Sequence, residues 1–462
     1  MLCPAFFTYA EDVGLRGKVH MKKKLSLLLV SAALVGGALT ACGGKDSGGT
    51  THAMEVIEEA SKMDKDELYQ KAMEEINGKE FIIVANSSRT PSAATAFVEY
   101  CKTKYNNPNF NFTVKSTQPK NNQIFAQIKG DVTGSNHNIN MTLIQDGAQI
   151  KSKMIDTGYL LNYIPKEWDG DKARDGEPLA LQSLNKVFAY NTNHADGEAA
   201  VSYNNVWDFA LKTKTQFMQP SSEPVGQNFL YMLTQEKYAG YVKDAYDALD
   251  SDSKAKVDAT LTDANAGIDA LMKEGNFCAN AKYSLAWIYN FIKSYTKVAD
   301  DGPIQQNLTA KSSGGMAGLL VYSKFRSTKE TAETSNTWID IAAYNNGYKG
   351  FGGYMYKHYL QVLRTAPFPW TSCALINFMV TEHDGFQPWG KDMGGYSSSP
   401  AVAKTFDHSH DGDATDDTPA TPIKNDRGYD WWMSADGGRL VLEDSVYCAS
   451  VAPVLSEWIA YL

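Results

Sequence analysis

The residues best placed to do chemistry are Ser87, Ser88, Arg89 and Thr90, which stand directly behind a short apolar run at residues 81–85 (FIIVA). Such a run suits a strand buried on both faces. Thr90 followed by Pro91 reads as a cap and first turn of a helix, whose apolar positions Ala94, Phe97, Val98, Cys101 and Tyr105 share one face. Unpaired N–H groups and a partial positive charge at a helix start suit anions. The two serine hydroxyls could bind oxygens and Arg89 could clamp a carboxylate or phosphate with two parallel bonds. The same residues also make a plain cap beside a solvated arginine. Gln145 and Asp146 close another apolar run (residues 139–145) and are either ligand contacts or an ordinary Asp-Gly turn. Ser221 and Ser222, in PSSEP, offer a second serine pair before a helix, or again only a cap.

The elements that must position these residues alternate. Strand-like runs at 81–85, 110–114 and 139–145 are each followed by helical patterns at 90–105, 123–129 and 148–161. That alternation argues for an open parallel α/β sheet. Residues 54–78 read as one amphipathic helix ended by Gly78. Residues 162–190 lead through Pro165, Gly170, Gly176 and Pro178 to a strand at 186–191, with a hinge near Asn191. Residues 235–297 are helical throughout. Strand patterns return at 314–322 and 354–363, a buried helix follows Pro367 and Pro369 at 371–380, and a last helix spans 451–462.

Composition is that of a globular chain, with 43% hydrophobic, 21% charged and 11% aromatic residues, and the net charge of −9 argues against nucleic acid as a partner. Residues 21–42, MKKKLSLLLVSAALVGGALTAC, have the basic start, apolar middle and small-residue end of a secretory signal. The segment LTAC resembles the lipobox of bacterial lipoproteins. That resemblance implies cleavage before Cys42, acylation of its thiol, and a location on the extracytoplasmic face of the cell membrane. Residues 1–20 read as a mis-assigned leader and residues 42–53 as a tether. Cys101, Cys278, Cys373 and Cys448 are far apart; they could pair, but read more simply as single thiols, and no Cys-x-x-Cys spacing suggests zinc.

A lipid-tethered chain of two α/β lobes resembles the extracellular solute-binding proteins of ABC transporters, of the type II, iron/thiamine/phosphonate-like class. The residues that carry the resemblance are 81–88, the hinge-like VFAYN at 187–191, and APFP at 366–369 with the helix running to Gly385-Phe386-Gln387 and on to Gly395-Tyr396-Ser397. It implies a two-lobed periplasmic-binding-protein-like α/β fold with a helical insertion in the second lobe. Lobe 1 would take residues 54–190 and 341–390, and lobe 2 residues 191–340 and 391–462. It also implies a small-molecule or ion ligand held between the lobes, a membrane permease as partner, and a monomer that needs no cofactor. Candidate ligand contacts are Ser87, Ser88, Arg89, Thr90, Gln145, Asp146, Asn191, Tyr203, Ser221, Ser222 and Tyr344.

Relatives that hold ferric iron use tyrosinate oxygens, but this chain, with 25 tyrosines, has no adjacent Tyr-Tyr pair to match. An aromatic platform or simple packing suits Tyr203, Tyr344, Tyr348, Tyr354 and Tyr356 better. His408, His410 and Asp411 lie in an acidic stretch at 405–425 that reads as a loop, not as a metal site. No Gly-x-Ser-x-Gly, His-Glu-x-x-His or phosphate-loop motif marks an enzyme. The alternatives are a surface-anchored glycan hydrolase, which needs only a carboxylate pair, and an adhesion or scaffold protein with no cleft.

Overall fold

The computed structural model describes residues 50–119, 122–192, 201–220, 223–310, 315–328, 331, 334–390, 394–406 and 426–462. The signal segment, Cys42, Ser221, Ser222, His408 and His410 lie outside these residues.

Among the described residues twelve strands form one sheet: β1 (Glu80–Ala85), β2 (Thr113–Thr117), β3 (Ile139–Ile144), β4 (Leu160–Leu161), β5 (Ala180–Asn191), β6 (Gln216–Met218), β7 (Thr296–Val298), β8 (Ala317–Val321), β9 (Ile339–Ile341), β10 (Gly353–Leu363), β11 (Gly395–Ser397) and β12 (Val441–Leu442). Their main order is β2-β1-β3-β10-β5-β8-β6-β7. The α/β class is as the sequence indicates, but the sheet is mixed. β1, β2 and β3 run parallel, whereas β10 enters antiparallel between β3 and β5. A strand more than two hundred residues downstream sets that reversal, beyond the reach of any local pattern.

Local differences have local causes. The expected first helix is two, His52–Ala60 and Lys65–Ile76, parted by Asp64 in an extended conformation. The bend lets Val56 and Ala60 from one helix, and Leu68, Ala72 and Ile76 from the other, all enter the core. β2 starts at Thr113, later than the apolar residues suggest. Phe110 and Phe112 pack edge-on against Phe97, their ring centroids each 6.4 Å from it. The polar segment after them forms the half-exposed edge strand. Cys101, Cys373 and Cys448 are buried, unpaired thiols, and Cys278 is also unpaired.

Two large hydrophobic cores share the sheet. The first gathers α1 and α2 (His52–Ala60 and Lys65–Ile76), β1, β3, the start of β5, the end of β10, and the helix Pro369–Thr381. The second gathers the helical block Glu236–Asp247, Ser251–Thr262, Ile268–Glu274 and Ala281–Ser294 with the last helix, Ser445–Tyr461. The long strands β5 and β10 run through both. Along β5 the change of core falls between Leu181 and Leu184; along β10 it falls between Tyr356 and Tyr359. Beyond that crossing the opposite sheet face carries a smaller third core around Val187, Ala189, Met355 and Trp432. Among the described residues no helix is long and apolar enough to cross a membrane.

Candidate functional site

Where β5 and β10 pass from one core to the other, their residues turn polar while staying buried. Gln182, Ser183, Asn185 and Lys186 on β5, and Lys357 and His358 on β10, are all under 9% exposed. Buried polar groups cost free energy unless paired, so their partners define the site.

Strand alternation sorts these side chains onto two faces. On one face His358 lies between two amides: its Nε2 is 2.9 Å from Gln145 Nε2 and its Nδ1 is 3.0 Å from Gln182 Nε2. Burial lowers the His358 pKa to about 3, so the ring is neutral. Lys186 stands on the same face, 3.4 Å from Asp301 Oδ1. Burial works against the Lys186 cation, but the Asp301 and Glu223 carboxylates outweigh it and raise its pKa. Glu223 caps the helix Pro224–Met232, accepting from Gly226 N at 2.6 Å, and burial pushes its own pKa up. On the other face Lys357 Nζ donates to Arg174 O at 2.6 Å and lies 3.0 Å from Asp175 Oδ1.

A pair of carboxylates closes the belt. Asp146 follows β3 in a left-handed conformation (φ 77°), which a short polar side chain tolerates and most residues do not. Gly147 comes next, and a Cβ there would lie 2.7 Å from Tyr359 Oη, so only glycine fits without displacement. Glu443, just after β12, reaches in from the C-terminal segment. Its Oε1 accepts from Gly147 N at 3.1 Å and from Asn228 Nδ2 at 3.0 Å; its Oε2 accepts from Lys357 N at 3.0 Å. Asp146 accepts from the same Asn228 Nδ2 at 3.0 Å. Both acids are buried, and burial raises both pKa values, that of Glu443 to about 7.

A cavity of about 50 Å³ lies at this belt, lined by Asn86, Gln145 and Asp146 from the first core's loops and by Glu223, Pro224 and Val225 from the second core's helix. It holds a few waters at most. Among the described residues, no group of three or more His, Cys, Asp or Glu side chains is gathered to hold a metal ion.

Of the residues singled out in the sequence, Gln145 and Asp146 line this cavity. Ser87 lies one residue from Asn86 and is buried, its Oγ accepting from Trp389 Nε1 at 3.1 Å and from Arg89 N at 3.3 Å. Ser88 is exposed. Arg89 donates from Nη1 to Pro388 O at 3.0 Å, and Thr90 Oγ1 donates to Ser87 O at 3.2 Å, within the first residues of α3 (Thr90–Lys104). The remaining three described candidates are engaged elsewhere. Asn191 ends β5 and donates to Leu308 O at 2.7 Å. Tyr203 packs against Tyr190 in the second core and donates to Gly315 O at 2.8 Å. Tyr344 stacks on Trp432 and meets Tyr322 Oη at 3.2 Å.

Sequence reasoning missed Lys186, Glu223, Asn228, Lys357, His358 and Glu443. A signal existed for two of them: Lys357 and His358 put two basic residues side by side in the strand YMYKHYLQVL, whose other residues, Gln361 apart, are apolar or aromatic, and a buried strand carries such a pair only with cause.

No family model and no curated protein matches the chain. Solved structures do resemble it. Iron-bound HitA from Pseudomonas aeruginosa is 11% identical with a TM-score of 0.49, over 82% of this chain and 98% of that one. A Bordetella ferric binding protein is 10% identical with a TM-score of 0.48, over 83% and 98%. AgtB from A. tumefaciens R10, in complex with agropinic acid, is 13% identical with a TM-score of 0.48, over 83% and 98%. No residue role transfers at such identities.

Proposed function

We propose that this chain is a solute-binding protein that closes two lobes on a small polar ligand at the β5–β10 crossing. The observation that carries the reading is the buried polar belt itself. Two cores that meet along two long strands, with a hydrogen-bonded layer and a small cavity at the joint, suit a structure that opens and shuts there. Closure driven by binding is a shift of an open–closed equilibrium. The cavity wall bears Asp146 and Glu223 carboxylates with Asn86 and Gln145 amides, so it suits a ligand that presents an ammonium or other donor group better than a bare anion.

The signal segment and Cys42 support an extracytoplasmic protein held to the membrane by acyl chains, with delivery of its ligand to an ABC permease. Thermal unfolding in the presence of a panel of amines, amino acids, organic anions and metal salts tests the binding reading. At least one solute should raise the melting temperature by several degrees; a panel without any shift overturns it. Radiolabelled palmitate incorporated by the wild-type chain and not by Cys42→Ala tests the anchor.

A further inference from the structure

The opposite face of the crossing carries a second, far larger cavity. It measures about 540 Å³, within the range of sites that enclose small organic ligands. Its walls include Phe386, Phe406, Tyr396 and Tyr429 with the guanidinium groups of Arg174 and Arg427. Ser183 of β5 lies on its floor, whereas Gln182, one residue earlier, turns to His358 on the other face. The two cavities are thus separated by the sheet.

Charge makes this cavity an exception in a chain of net charge −9. Three cations, Arg174, Arg427 and Lys404, line it against two carboxylates, Asp175 and Asp430. Asp175 is already shared by Lys357 and by Arg174, whose Nε donates to it at 2.7 Å. Arg427 has no carboxylate partner among the described residues. Its guanidinium carbon instead sits 4.1 Å from the Tyr344 ring centroid and 4.7 Å from that of Trp431. Rings hold a guanidinium in place without neutralising it, which leaves its N–H fork able to take an oxyanion in parallel bonds.

We infer that this cavity is a second ligand site, specific for a small organic anion that joins a planar apolar ring to a phosphate or carboxylate. The ring would lie between Phe386, Phe406 and Tyr429, and the anionic group would meet Arg427 and Lys404. The site does not depend on the solute reading above, since none of its residues lines the smaller cavity.

The test uses the chain from residue 42 onward and 1-naphthyl phosphate as probe, with inorganic phosphate and 1-naphthol as half-probes, followed by calorimetry. Naphthyl phosphate should bind saturably at one site and at least tenfold more tightly than either half-probe. Arg427→Gln should weaken it tenfold or more. Absence of saturable binding overturns the inference, as does equal binding of inorganic phosphate or an unchanged affinity in Arg427→Gln. Should that variant fail to fold, Lys404→Gln at an exposed position decides the matter: a threefold or greater loss supports the site, and no change overturns it.

Discussion

Asp146 and Glu443 share one hydrogen-bond donor, with Asn228 Nδ2 3.0 Å from an oxygen of each. The three residues come from the loop after β3, from the helix Pro224–Met232 and from the segment after β12, so a single amide ties a loop of the first core to two elements of the second. The geometry also sets a protonation rule. Two carboxylates that converge on one donor in a buried site do not both ionise cheaply, and burial holds Glu443 near pH 7.

That rule has a sign. A carboxyl whose folded pKa lies above its unfolded value of 4.5 binds its proton more tightly in the folded state. Its contribution is therefore full below pH 4.5 and is lost as pH rises toward 7. The loss is roughly 3 kcal/mol at about 1.4 kcal/mol per unit. His358 gives a slope of opposite sign over much of this range, so the readout is the difference: the stability of Glu443→Gln relative to wild type should rise between pH 4.5 and 7 in denaturant titrations, and a difference that stays constant would contradict the assignment.

His358 acts in the opposite direction. Its folded pKa of about 3 lies below the unfolded value of 6.5, so protons favour unfolding, and stability falls as pH drops from 6.5 toward 3. At pH 5 the cost is roughly 2 kcal/mol. His358→Gln, with amides at Gln145 and Gln182 as neighbours, should relieve that acid sensitivity. Because Glu443 works in the other direction over the same range, the readout is the difference: His358→Gln should gain stability relative to wild type at pH 5 compared with pH 7, and an equal difference at both pH values would contradict the assignment.

Asn228→Ala removes the shared donor and leaves two buried acids facing each other. The expected loss is about 2–4 kcal/mol at neutral pH, shrinking at pH 5, where protonation of Glu443 relieves the repulsion. Urea unfolding at the two pH values separates this from a simple loss of packing, which would cost the same at both.

How far the sequence leads can be seen at particular residues. The strand–helix alternation through residue 144 was legible because parallel strands, buried on both faces, write continuous apolar runs such as FIIVA. The direction of β10 was not, since hydrogen-bond partners far apart in sequence leave no periodic trace. Asp146 could be read from its place after a strand, but its partner Glu443 could not. Glu443 is nearly three hundred residues away, beside a two-residue strand that no pattern announces. The polar belt is half-visible: Lys357-His358 stands out in an apolar strand, while Lys186 passes for an ordinary strand residue.

Ser87 and Ser88, adjacent in sequence, should separate cleanly. Ser87→Ala deprives the buried Trp389 indole of its acceptor and should cost about 1–2 kcal/mol of stability, with a change in tryptophan emission. Ser88→Ala, at an exposed position, should leave stability within about 0.5 kcal/mol. Equal effects would show that the two side chains are not placed as described.

Closure about the β5–β10 crossing is tested most directly by a distance between an element of the first core and one of the second. Spin labels at Glu99→Cys on α3 and Lys256→Cys on the helix Ser251–Thr262, both exposed positions, report it by pulsed dipolar spectroscopy in a Cys278→Ser background. Two distance populations should appear without ligand, and a solute that raises the melting temperature should convert them to the shorter one. A single distance, unchanged by any stabilising solute, would contradict closure about the β5–β10 crossing.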